Sequence, residues 1–411
     1  MIRNGNAIPQ MKRAWNIPTQ ADAVAAIASP LLLAGEKIAL YLPMDGANIG
    51  DRLCVFADIT LTGANGTYAP CVFATPEGEI VDYGLERGCT SSLQWNATVC
   101  EYGGRACVLL YLLAGKGETV AVDSLRCGEP SVEKPLLGGA ELIMMEPQHK
   151  QMMGFLLRTP EGKVLVFDGG NVADTDALGE QILAWGGCVD GWFITHYHND
   201  HVAAVVGVLE KYPISVNGFY YDFRGAENPN FIGDGDNEWI TRLEETLRRF
   251  HPQKIREVTV TNRADVYDFG SVRVKVLNDA VFYEDAENPG NDSGVVYKIE
   301  TPGEHILMLG DLGWTHGDVC LGDPWFLEEM RTCRIVQMAH HGQNGTTRRF
   351  YDAIDEILVC LYPADQWLFD VDRREQGFAS GPWRTLETRA WMRSRKVLYT
   401  YSSIDGRLTL R

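Results

Sequence analysis

Three histidines and an aspartate lie within six residues of the run Thr195-His-Tyr-His-Asn-Asp-His201, in a chain of 411 residues with only nine histidines. The run follows an apolar stretch, Gly191–Thr195, that reads as a strand, and it leads into a helix expected from about Asp200 to Lys211. In extended backbone His196 and His198, two apart, point to the same side. Asp200 and His201 fall at the turn into the helix and can face back toward them. Imidazole and carboxylate groups at this density suit zinc or a similar divalent ion. No serine or cysteine nucleophile motif, phosphate-binding glycine loop or dinucleotide fingerprint accompanies the cluster, so covalent and nucleotide-dependent chemistries are not indicated.

Other strand ends carry further donors. Val166-Phe-Asp-Gly-Gly170 places Asp168 before a glycine turn, Met308-Leu-Gly-Asp-Leu312 places Asp311 likewise, and Val336-Gln-Met-Ala-His-His-Gly342 ends a strand in paired histidines. With the first run, these resemble the ordered motifs of the metallo-β-lactamase superfamily, whose signature is H-x-H-x-D-H; the resemblance covers about residues 139 to 411. The series Asn291-Asp-Ser-Gly-Val-Val296, L-G-D and A-H-H-G is most similar to the branch containing the hydrolase domain of competence-type DNA-uptake proteins and phosphorylcholine-esterase-like relatives. The membrane-spanning part of the DNA-uptake proteins is absent. Many superfamily members carry another metal-binding histidine between the first cluster and the later aspartate. Here only His251 and His305 lie in that interval, and neither is well placed.

The resemblance implies roles. His196 and His198 would hold one metal, Asp200, His201 and His341 a second, and Asp311 would bridge them. Two zinc ions are expected, with manganese or iron as alternatives. Asp168 would hydrogen-bond a ligand imidazole and fix its tautomer, and Asn291 would orient a loop or fill space near the first metal. His340 is expected to act on the reaction, as a proton donor or an oxyanion partner. Asp200, Asp311 and His340 form the expected catalytic set. The implied reaction is metal-dependent hydrolysis, a bridging hydroxide attacking a small or exposed phosphodiester. The alternative is a lactone, thioester or amide hydrolase of the same fold; a third is a binding protein with a vestigial site.

The surrounding elements suggest three parts. Residues 1–30 read as a tail with a short helix at Ala21–Ala28. Residues 31–137 read as all-β, with strands at Leu53–Thr62, Tyr68–Thr75, Ser92–Cys100, Cys107–Leu113 and Thr119–Leu125 and an Asn65-Gly66 hairpin turn, which suggests an immunoglobulin-like β-sandwich. Glu129–Gly139 reads as a linker. Residues 138–411 mix strands and helices, and the resemblance implies a four-layer αββα sandwich, making the chain α+β overall.

Charge bounds the partners. The net charge is −18; residues 1–138 hold 10 basic and 14 acidic side chains, the remainder 27 and 41. No basic stripe is evident, so a long nucleic acid is not expected as substrate. No apolar run reaches the ~18–20 residues needed to span a bilayer. The ten cysteines have no C-x-x-C spacing and are expected to be mostly buried thiols, consistent with a cytoplasmic protein. Composition gives no indication of oligomeric state.

Overall fold

The computed structural model describes residues 3–4, 31–32, 36–44, 46–63, 72–76, 80–83, 90–114, 118–128, 136–149, 152–224, 236–283, 286, 288–369, 385–395, 397, 399–403 and 407–411. The expected helix at Ala21–Ala28 and the Asn65-Gly66 turn lie outside them. Arg3–Asn4, within the expected tail, pairs with Leu408–Leu410 at a sheet edge.

Residues 36–128, where described, are strand and turn. One sheet runs Leu31–Leu32, Glu118–Gly128, Arg52–Gly63, Thr90–Thr98; the other runs Glu36–Pro43, Arg105–Ala114, Val72–Ala74, Ile80–Tyr83, with Cys100–Tyr102 hairpinned onto Arg105–Ala114. Buried side chains of both sheets, including Leu40, Val55, Phe73, Trp95 and Leu110, share one core. The sequence reading placed four of these strands within three residues at each end but missed Glu36–Pro43. That strand is apolar on both sides: Leu40 and Leu42 enter the shared core while Ala39 packs with Leu109 and Tyr111, so no polar alternation marks it.

The chain enters the second core by residue 137, before the expected linker ends: Leu137 is fully buried. Two sheets follow. The first orders Arg3–Asn4, Leu408–Leu410, Glu141–Met144, Gly154–Arg158, Val164–Asp168, Cys188–Phe193, Ser215–Tyr221 and Ile255–Val260. The second orders Val266–Phe269, Val272–Val276, Tyr297–Glu300, His305–Met308, Cys333–Gln337, Val359–Tyr362 and Tyr399–Ser402. In each, antiparallel pairing gives way to parallel pairing, after Val164–Asp168 in the first and after His305–Met308 in the second.

Alternation along these strands builds the layers. Phe193 and Ile335 point between the sheets, where Phe155, Phe167, Val274 and Tyr297 meet them. Their neighbours Trp192 and Val336 point outward. Helices Thr175–Ala184, Asn199–Lys211 and Glu238–Phe250 cover the outer face of the first sheet. Pro324–Arg331, Arg348–Asp352 and Thr385–Ser394 cover that of the second. The order is thus helix, sheet, sheet, helix. The sequence reading missed Trp314–Cys320 and Pro324–Arg331 because each is only two turns long and Gly322-Asp323-Pro324 separates them.

Phe193 is the centre of the inter-sheet aromatic set. It stacks on Phe167 at 5.2 Å and Tyr220 at 4.6 Å and meets Tyr297 edge-on at 5.4 Å. Deleting such a ring removes its burial and leaves a cavity. Phe193→Ala is expected to lower stability by about 3–5 kcal/mol, read as a lower urea midpoint at unchanged slope.

Candidate metal centre

The polar side chains collect where the strands of both sheets end. Asp168 closes its strand with a φ of 54°, a left-handed conformation that turns the chain into Gly169-Gly170. Its Oδ1 accepts from the Thr195 backbone N–H at 2.7 Å and its Oδ2 from the Thr195 hydroxyl at 2.7 Å. His196-Tyr-His198 runs extended from the next strand, and helix Asn199–Lys211 starts at once, placing Asp200 and His201 in its first turn. On the other sheet Gly310, at φ 53°, turns the chain before Asp311. Gln337 braces that turn: its side chain accepts from Leu309 N at 2.8 Å and donates to the carbonyls of Gly310 and Met338 at 3.0 and 2.7 Å. His340 and His341 follow, both at positive φ, 51° and 56°. Two successive non-glycine residues in that region are a strained arrangement of the kind found at ligand sites.

The structure brings all six sequence-predicted ligands together. His196, His198 and Asp311 form one group, and Asp200, His201 and His341 another; within each group one donor atom per residue lies within 4.8 Å of the others. All six are buried. Three of the imidazoles, His196, His201 and His341, have a partner at Nδ1 and turn Nε2 inward. His201 Nδ1 donates to Asp168 Oδ2 at 2.8 Å and His341 Nδ1 to the Pro363 carbonyl at 2.8 Å. The Nε2 atoms of His201, His341 and His196 lie 3.2, 3.6 and 3.9 Å from the Asp311 carboxylate. Asp168 thus touches a histidine of one group and neither group's centre. His251, exposed at a helix end, and His305, whose Nδ1 lies 3.4 Å from the Thr332 hydroxyl, stand apart from it.

These residues fit a cation. His196 Nε2, His201 Nε2 and Asp311 Oδ1 are buried without a hydrogen-bond partner, a costly state unless something occupies the space among them. With Nδ1–H committed to Asp168, the lone pair of His201 Nε2 faces a carboxylate oxygen, and a positive ion relieves that opposition. A proton on Nε2 would relieve it too, and the electrostatics favour positive charge there. Burial works against charge on His201, yet Asp311 and Asp168 flank it and hold its imidazole well above the usual range. Burial, with His201 and His198 nearby, holds His196 well below it. Burial would raise Asp200, but the His341 hydrogen bond and the neighbouring imidazoles bring it down to about 2. A cluster of three buried carboxylates that binds protons this unevenly has a strong demand for compensating positive charge.

His340 differs from the six. It is the most exposed of the imidazoles facing Asp311, at 17%, with Nε2 3.7 Å from Asp311 Oδ2. Its Nδ1 donates to the Asn344 carbonyl at 3.2 Å, and the Asn291 amide nitrogen lies 3.3 Å from each ring nitrogen. Asn291 therefore contacts His340. Sequence reasoning passed over Gln337, which sits in an otherwise apolar strand; a lone amide before A-H-H-G was its only signal.

Residues 154–357 match the family model described as Metallo-beta-lactamase superfamily. The chain is similar to the metallo-beta-lactamase fold protein YhfI from Bacillus subtilis at 9% identity, covering 66% of this chain and 99% of that one, with a TM-score of 0.41. It is also similar to Zn(2+)-bound PqqB from Methylobacterium extorquens (9%, 66% and 99%, 0.39) and to unliganded yeast PDE1 (10%, 66% and 99%, 0.42). No curated protein matches the chain. Among the described residues no helix is long and apolar enough to cross a membrane.

A further buried histidine, His316, is structural. Its Nδ1 donates to the Asp292 carbonyl at 2.7 Å and its Nε2 accepts from Asn278 at 3.2 Å. Burial lowers its pKa to about 4. The neutral ring therefore stabilises the fold fully above the unfolded-chain value near ~6.5, and this contribution is lost as pH falls from there toward about 4. His316→Gln should flatten the decline in stability across that window by up to ~1.4 kcal/mol per pH unit. Denaturation of both proteins in chelator, from pH 7 to 4.5, checks this; parallel slopes would count against it.

Proposed function

We propose that the chain is a dinuclear metal-dependent hydrolase acting on a small or exposed phosphodiester. The observation that carries the reading is the pair of buried donor groups meeting at Asp311, with the partly exposed His340 beside them. His196 and His198 would hold one ion, Asp200, His201 and His341 the other, and Asp311 both. Zinc suits this set of imidazoles and carboxylates. Divalent ions there supply Lewis acidity and activate water near neutral pH. The protein's own groups do the rest. Asp168 holds the His201 tautomer through Nδ1. Burial removes competing water from the carboxylates. The Asn344 carbonyl and the Asn291 amide set the ring of His340, whose Nε2, in the doubly protonated ring, meets a phosphoryl oxygen or gives its proton to the leaving group.

The A-H-H-G ending and the lack of a middle histidine favour the competence-protein and phosphorylcholine-esterase-like branch, which supports a phosphodiester over a lactone, thioester or amide. The net charge of −18 favours a small substrate over a long nucleic acid. Residues 31–137 would form an immunoglobulin-like accessory sandwich and residues 138–411 the catalytic domain, with residues 1–30 as a tail. The six described cysteine side chains, Cys100, Cys107, Cys188, Cys320, Cys333 and Cys360, are free thiols, which suits the cytoplasm.

Elemental analysis of protein purified without added metal should find two zinc ions per chain. Asp311→Ala should lose more metal than Asp168→Ala, since it serves both groups; equal losses would remove Asp311 as the bridge. The activity test uses metal-loaded protein on bis-p-nitrophenyl phosphate beside lactone and thioester panels. Turnover is expected on the phosphodiester, and turnover on the panels alone would transfer the reading to the lactone and thioester class. His340→Ala should cut turnover about 10²–10³-fold while metal content stays. Metal loss in that variant would instead make His340 a ligand.

A further inference from the structure

Thr195 is not among the donors, yet its hydroxyl reaches three side chains of the centre. It lies directly after the strand Cys188–Phe193 and Ile194, and it is buried. Its backbone N–H and hydroxyl both reach Asp168, each at 2.7 Å. The same hydroxyl oxygen is 3.2 Å from His196 Nδ1 and 3.4 Å from His201 Nδ1. Its carbonyl accepts from Val295 N at 2.8 Å, which ties it to the chain entering the second sheet. Its side chain also seats against Gly310: a Cβ there would stand 2.6 Å from Thr195 Cβ. One residue thus reaches the orienting carboxylate, a histidine from each donor group, and the turn that carries Asp311.

The hydroxyl has one proton and two lone pairs. The short approach to a buried carboxylate takes the proton, because Asp168 Oδ2 can only accept. The oxygen is then an acceptor toward the imidazoles. His201 Nδ1 already has the closer Asp168 oxygen at 2.8 Å. His196 Nδ1 has no such carboxylate, and the Thr195 hydroxyl is its partner. Accepting from that Nδ1–H leaves the His196 lone pair on Nε2, the unpartnered atom that faces Asp311.

We propose that Thr195 is a positioning residue that relays Asp168 to His196, so that one carboxylate orients a histidine in each of the two groups: directly in the Asp200–His201–His341 group, and through a hydroxyl in the His196–His198–Asp311 group. This rests on the metal reading above. It predicts an asymmetry. Removing the hydroxyl leaves the His201–Asp168 bond in place and loosens only His196.

Two variants separate this role from packing. Thr195→Val keeps the shape against Gly310 and deletes the hydroxyl; Thr195→Ser keeps the hydroxyl and deletes the methyl. Zinc affinity is measured for each ion by competition with a chromophoric chelator, with stoichiometry by elemental analysis. In Thr195→Val one zinc is expected to stay at wild-type affinity and the other to weaken about 10–100-fold, with Thr195→Ser close to wild type. If Thr195→Val binds both ions as wild type does, or Thr195→Ser is the weaker binder of the two, the relay is wrong and packing is the role. Should Thr195→Val not fold, the serine variant still decides, because a large loss there overturns the relay and retention of both ions supports it. A wild-type protein that takes up no zinc would overturn the metal reading itself, and this proposal with it.

Discussion

Four imidazoles face one buried carboxylate. Asp311 has the Nε2 atoms of His201, His341, His340 and His196 within 3.9 Å, and one of its oxygens bonds to nothing in the protein. Asp168 and Asp200 are buried nearby. Removing three carboxylates from water is costly unless they are neutralised or hydrogen-bonded. The local architecture answers that demand. Nδ1 anchors aim lone pairs inward, and Thr195 and Gln337 satisfy the backbone and side-chain groups that the turns would otherwise strand. A core of well-packed apolar side chains supports these turns from below. The stability of the apolar layers offsets the cost of assembling so much charge at one edge.

The two sheets contribute in the same way. Each passes from antiparallel to parallel pairing, and in each the strand at the change, Val164–Asp168 or His305–Met308, leads to an aspartate, Asp168 or Asp311. The next parallel strand in each leads to histidines, His196 to His201 in one and His340 and His341 in the other. Parallel strands need crossovers, so their carboxyl ends lie side by side at one rim. That is why donors far apart in the chain can converge: the donor positions repeat with the sheet pattern.

The first donor run was legible because four donors in six residues, directly after an apolar strand, have little use anywhere but around a metal. Asp311 and His341 were readable only as strand-end signals, L-G-D and A-H-H-G, which are common alone and informative in order. What escaped was whatever depends on long-range partners. His316 is one histidine in a two-turn helix, and its burial is set by Asn278 and Asp292, 38 and 24 residues away. Thr195 and Gln337 have ordinary side chains, and their importance comes from the turn they meet on the other sheet or next to it. The strand Glu36–Pro43 was missed for the opposite reason: apolar on both faces, it shows no period of two. The short helices before and after Gly322 fall below the length at which periodicity becomes visible.

The donor set draws on both sheets, and this has a thermodynamic consequence. His196, His198, Asp200 and His201 leave the first sheet, while Asp311 and His341 leave the second. An ion bound to both would be a cross-brace at the rim, formed only when the two halves of the sandwich are correctly apposed. Its binding energy would then be linked to folding: each tenfold rise in free ion above the dissociation constant adds ~1.4 kcal/mol to the folded state. The resistance of this sandwich to opening would be set partly by its surroundings, rising and falling with the free concentration of the metal in the compartment where it works.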